Sequence, residues 1–300
     1  MASFNFLRNT TLYLVVSGNR YPLQVESVSG DQTLTEKTIP VKTLHSQDMF
    51  EASAITKANP GNFEFTIHLI REDDYSVVFD RLIDYGTFDL YIESDTHVFK
   101  LENCVITNGS INLSKASILK ISIAGQCSRL HPPEVASSYS YPGTLVPRTS
   151  GQGTVNIVNS LDINWDGSDY SRLIESVNIE LQNQISWTPY TTVNDGINAL
   201  AIDSIMYPST FTVSKRTLAG NIRKYLTDDN ISDVQNFDTS TSFSITAGED
   251  VSGTVYGIEL DLASVAWTNR AVFEEIYLED YSWRMNYNPT LSTVFTYTHN

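Results

Sequence analysis

The residues "DINWDG" (Asp162–Gly167) open like a calcium loop, with oxygen-bearing side chains at alternate positions before a glycine. Such a loop needs a bidentate Glu at its twelfth position, which here is Leu173. A related stretch earlier in the chain, "YLVVSG", shares the glycine but has no acids, so a hairpin turn is the simpler reading. The five histidines, His45, His68, His97, His131 and His299, include no two at metal-ligand spacing. Serine is abundant, but no G-x-S-x-G elbow and no nucleophile–base pairing appears, and no glycine-rich phosphate loop. Asp73-Asp74, Asp228-Asp229 and Glu274-Glu275 could pair as acid and base. Adjacent acids at helix starts or on strand faces are more simply solvated charges. Cys104 and Cys127 each lie in a strand-like run and read as reduced thiols, too few for a disulfide framework. We therefore expect no catalysis, no cofactor and no metal, and look for structure or interaction instead.

The charge narrows the choice further. Formal net charge is −16. Residues 1–150 hold 12 Lys and Arg against 16 Asp and Glu, a net of −4; residues 151–300 hold 7 against 19, a net of −12. A reader of nucleic-acid sequence needs cations on phosphates, so this balance argues against one. "SKRTLAGNIRKY" concentrates Lys215, Arg216, Arg223 and Lys224. In so acidic a chain it reads as a contact for an acidic patch on a neighbouring subunit. No apolar run reaches the length of a membrane span, and the start has no signal-peptide pattern, so a protein made in a reducing cytoplasm is expected.

The elements that hold these residues repeat. "LYLVVSGNRYPLQVESV" (Leu12–Val28) aligns without gaps with "LDINWDGSDYSRLIESV" (Leu161–Val177), 149 positions later. Leu12/Leu161, Gly18/Gly167, Tyr21/Tyr170, Glu26/Glu175, Ser27/Ser176 and Val28/Val177 are identical. Weaker echoes follow in the same order: Asp73-Asp74 with Asp228-Asp229, Phe88 with Phe243, and "VFKLENCVI" with "VYGIELDLA". Slowly growing offsets point to a duplication with small insertions. Most runs alternate or are rich in β-branched and aromatic residues, so strands dominate. A helix is expected over Asp73–Tyr85, acid-started and followed by Gly86, and a shorter one near Asp228. The fold class is mainly β (α+β): two tandem antiparallel β-sandwich or barrel domains, each with one short helix and its own core. Their expected bounds are 1–130 and 154–300, joined by a Pro/Gly/Ser-rich linker over 131–153. Long polar stretches follow each opening hairpin, Ser29–Gly61 and Asn178–Ser209, and either serve binding or hide a strand or two.

The order of hairpin, long loop, "NFEFTIHLI", acid-started helix and "FDLYI…HVFKLENCVITNGSINLSKASILKISIAG" resembles the tube fold of long-tailed phage tails, shared with contractile injection tubes. "YPSTFTVSKRTLAGNIRKYL" and "TSFSITAG…VYGIELDLASV" resemble the same passage in a second copy, so the chain looks like the variant with two fused tube domains. The resemblance implies a tail-tube subunit in a virion, made and assembled in the host cytoplasm. Three copies would form a homo-oligomeric ring with pseudo-sixfold symmetry. Rings would stack into a conduit through which viral DNA passes without specific binding. Terminator, hub, tape-measure and possibly sheath proteins would be its partners, with no membrane role. The ring-stacking contacts would then fall on Thr33, Glu36, Lys37, Lys42, Gln47 and Phe50, and on Gln182, Trp187, Tyr190, Asn194 and Asp195. An acidic lumen would repel phosphate. A tube-initiator, hub or tail-completion ring, or a two-domain β-sandwich that binds a receptor or carbohydrate, remain the alternatives.

Overall fold

The computed structural model describes residues 10–41, 50–148, 153–165, 167–188, 207–227, 241–273, 275–286 and 294–299. Alternating apolar and β-branched residues make strands almost throughout. β1 (Thr11–Val16) turns at Ser17-Gly18 into β2 (Asn19–Leu23), and β3 (Val25–Asp31) follows directly. Ser17 and Gly18 both have positive φ, 51° and 78°, as a tight hairpin requires. Ser29–Gly61 does conceal strands: β4 (Leu34–Val41) and β5 (Phe50–Ala58) form a separate two-stranded arm. β6 (Gly61–His68) leads to helix α1 (Ser76–Asp84). Asp74 accepts a hydrogen bond from the Ser76 amide at 2.8 Å, which starts the helix three residues later than the sequence suggests. Tyr85 ends it in a left-handed conformation. β7 (Phe88–Glu93), the 18-residue β8 (His97–Ser114) and β9 (Lys120–Cys127) complete this half.

The 131–153 stretch does not run free of the first half. Just before it β10 (Arg129–Leu130) pairs with β8; within it β11 (Glu134–Val135) also pairs with β8, and β12 (Thr144–Leu145) lies parallel to β2. Tyr139 and Tyr141 pack on Tyr91, and Tyr141 also on Tyr13. Arg148 pairs with Asp73 at 2.8 Å. Tyr139 and Tyr141 fasten this segment down.

Beyond it lie β13 (Ser160–Trp165), β14 (Ser168–Asp169), β15 (Ile174–Trp187), β16 (Phe211–Tyr225), β17 (Thr241–Val251), β18 (Thr254–Phe273), β19 (Tyr277–Met285) and β20 (Val294–Thr298). The pairing pattern of the first half recurs. Leu14 faces Tyr21 across β1–β2, and the Tyr170 amide donates to the Ile163 carbonyl at 2.8 Å. β3–β6 breaks register between Val25 and Ser27, and β15–β16 between Ile174 and Ser176, so a bulge falls at Glu26 and again at Glu175. The expected second helix near Asp228 lies outside the described residues.

The halves do not hold separate cores. Buried residues form one continuous cluster running from Leu12 to Tyr297. Helix α1 of the first half presents Phe79 to Phe295 and Tyr297 of β20, with ring centroids 4.9 and 5.9 Å apart. Cys104 and Cys127 are buried, free thiols that face each other across β8 and β9.

Candidate functional site

One sheet crosses the whole molecule. Its strands run β3–β6–β9–β8 in the first half and continue β15–β16–β19–β18 in the second. The junction is β8 against β15, antiparallel from Ser114 opposite Ser176 to Asn108 opposite Gln182. Side chains alternate between two faces. At the junction Ile111, Leu113, Val177, Ile179 and Leu181 are buried on one face, while Asn108, Asn112, Glu180 and Gln182 are exposed on the other.

That second face is polar across every strand. Matched rungs carry Ser29, Glu64, Ala124, Asn108, Gln182 and Thr217, and then Asn112, Asn178, Asn221, Ser282 and Thr268. Its acids include Asp31, Glu64, Glu180 and Asp280, and its bases Lys120, Lys215, Arg223, Arg270 and Arg284. The acidic excess of the chain is therefore not gathered on this face. Beside it, Glu26 accepts from Lys120 and His68, both at 3.1 Å, and these bonds hold its carboxyl below the usual carboxylate range.

A polar network crosses the junction behind the sheet. Buried Asn183 donates Nδ2 to the Ile106 carbonyl at 3.0 Å and accepts Nε of Arg216 at 3.1 Å. Arg216 then donates Nη2 to the Leu82 and Ile83 carbonyls at the C-terminal end of α1 and lies 4.9 Å from the Tyr85 ring. A cation there satisfies carbonyls that a helix end leaves open. Arg71 meets Glu249 at 2.5 Å, an ion pair between the halves. Asn183 breaks the inward apolar series Val177, Ile179, Leu181, and that break was its only trace in the sequence.

The expected contact residues scatter. Glu36 and Lys37 are exposed on the β4–β5 arm, and Thr33 closes its base by accepting the Asn59 amide at 2.9 Å. Phe50 opens β5, while Lys42, Gln47, Tyr190, Asn194 and Asp195 lie outside the described residues. Gln182 sits in the junction, and Trp187 donates Nε1 to Gln126 of β9 at 3.0 Å, so neither belongs to a loop. The basic cluster falls on one strand, β16. Arg216 has partners in its own chain, as above. Arg223 lies 3.1 Å from Glu175 and 3.7 Å from Asp280. Lys224 is buried, 5.5 Å from the Tyr170 ring. Lys215 is exposed.

Among the described residues no group of three or more His, Cys, Asp or Glu is placed to hold a metal ion. No helix there is long and apolar enough to cross a membrane. The arrangement is a broad sheet with a polar face, whose end strands among the described residues are β3 and β18. No curated protein sequence matches the chain. A sequence profile described as the Bacteriophage Baseplate Tube Protein Family matches residues 2–290. Matched over nearly its whole length and built as a continuous sheet, the chain belongs to this family of phage tail and baseplate structural proteins.

Proposed function

We propose that the chain is the ring-forming subunit of a phage tube, two fused tube domains per copy and three copies per ring. One observation carries this reading: the first half already joins the second through sheet edges, β8 to β15, as neighbouring subunits of a ring would join. Closing the ring removes exposed edges, which otherwise invite uncontrolled pairing. The polar face would line the channel. Its amides, hydroxyls and mixed charges give DNA no basic surface to bind, so the genome slides without an acidic wall. The β4–β5 arm would reach the adjoining ring, and other tail and baseplate proteins would meet the ends.

The family description favours a position at the baseplate end, where a ring can start or join the tube without propagating. A tail-tube subunit would instead stack indefinitely, because heterologous contacts that do not close make filaments. Negative-stain microscopy of the purified protein separates the two. Single rings support the baseplate reading and long tubes the tail-tube reading, while monomers at high concentration overturn both.

A further inference from the structure

We infer that the open end of β18 pairs antiparallel with β3 of a second copy of this chain, placing Phe273 opposite Val28 and Arg270 opposite Asp31. The inference rests on the ring reading and adds its register.

Among the described residues β3 pairs only with β6, and β18 beyond Val265 pairs only with β19. Among these residues each strand therefore leaves one edge of backbone donors and acceptors open. The in-chain junction is the template for joining them. The shared bulge equates Glu26 with Glu175, hence Ser27 with Ser176 and Asp31 with Glu180. A single rung then equates β8 with β18. In the first half it runs Ser27, Thr66, Ser122, Ser110. In the second it runs Ser176, Arg223, Asp280, Arg270. Ser110 therefore corresponds to Arg270, and Leu113 to Phe273.

Inside the chain Ser110 faces Glu180 and Leu113 faces Val177. Carried to the open edges, this register sets Arg270 against Asp31 and Phe273 against Val28. The chemistry agrees at both positions. Leu113 is 2% exposed because β15 covers it, whereas Phe273 is 78% exposed. Val28, its counterpart partner, is half-buried at an open edge. Arg270 and Asp31 are both exposed, fall on the same polar face and carry opposite charge, the cross-strand pairing that stabilises a sheet. The occupant is a second copy because the chain's own β8–β15 junction supplies the register, and in that register Asp31 and Arg270 on the two edges carry opposite charge. Such a head-to-tail contact makes a ring when its rotation closes, here after three copies in the proposed reading.

Disulfide trapping tests the register. Directly opposed strand residues have Cα atoms about 4.5–5.5 Å apart, within disulfide reach, and a two-residue diagonal lies at about 7–8 Å. Val28→Cys with Phe273→Cys should cross-link subunits into covalent oligomers under mild oxidation. Val28→Cys with Ala271→Cys should do so about tenfold less, and neither single variant should. Rings by microscopy with equal or absent trapping would overturn the register and leave the ring standing. A wild-type protein that stays monomeric would remove the ring reading and this pairing together. Phe273→Asp gives an independent check. Its exposed site should leave the melting curve of the monomer unchanged while rings are lost, and rings that persist would count against the pairing.

Discussion

The Tyr297 hydroxyl donates to the carbonyl of Ile70 at 2.7 Å, joining residues 227 positions apart. The same oxygen accepts Nδ2 of buried Asn156 at 2.8 Å. The last strand is thereby fastened to the first half, beside the rings of Phe79 and Tyr75. Tyr297→Phe keeps the packing but leaves a carbonyl and an amide without this partner. It should cost about 1–3 kcal/mol of stability, measured by urea unfolding.

Arg216 holds the junction from the other side. Arg216→Ala strips Asn183 and the end of α1 of a charged donor and should cost about 1.5–3 kcal/mol. Arg216→Lys should recover only part of this, because an ammonium cannot reach Asn183 and the helix carbonyls with one planar fork. Faster amide exchange in α1, read by mass spectrometry, should accompany both variants.

Gly220 and Gly125 occupy matching rungs with their partners exchanged. Phe63 lies opposite Gly125 in the first half, and Gly220 lies opposite Trp283 in the second. A methyl on Gly220 would stand 2.1 Å from the Asn178 carbonyl oxygen and 2.6 Å from the Trp283 ring. Gly220→Ala should therefore destabilise by at least about 1–3 kcal/mol through overpacking, with the urea midpoint as the measure.

Glu102 supplies a pH dependence. Burial alone would raise its pKa, but hydrogen bonds from His131 at 2.8 Å and Lys100 at 3.1 Å hold it below its ordinary 4.5. A carboxyl depressed in the folded state stabilises fully above its unfolded pKa and loses that contribution as pH falls through the folded value. With 36% of the side chain exposed, the effect should stay below about 1 kcal/mol. Glu102→Gln should therefore lose slightly less stability than wild type between pH 6 and pH 3 in parallel urea titrations.

The thiols should be silent in the folded protein. Burial, and then the neighbouring Cys127, push the Cys104 thiol well above its ordinary pKa. Ellman's reagent at pH 8 should find almost no reactive thiol until denaturant is added, when both cysteines should react.

Much of this was legible along the chain. The glycine turns at Gly18 and Gly167, the bulge residues Glu26 and Glu175, and the β-rich composition mark local backbone requirements, and local requirements leave local traces. The echo fades where packing is shared. Phe63 on Gly125 became Gly220 on Trp283, because a ring needs a residue without a side chain opposite it and either strand can supply that space. Arg216 looked like a contact for a neighbouring subunit, and Gln182 and Trp187 looked like loop residues, since nothing near them in sequence announces β8, β9 or α1. Strand identity and the repeat were set by sequence alone, through side-chain period and turn chemistry. The β8–β15 junction, the single core and the two open edges were decided only in three dimensions, because pairing between distant strands depends on which edges the rest of the fold leaves uncovered.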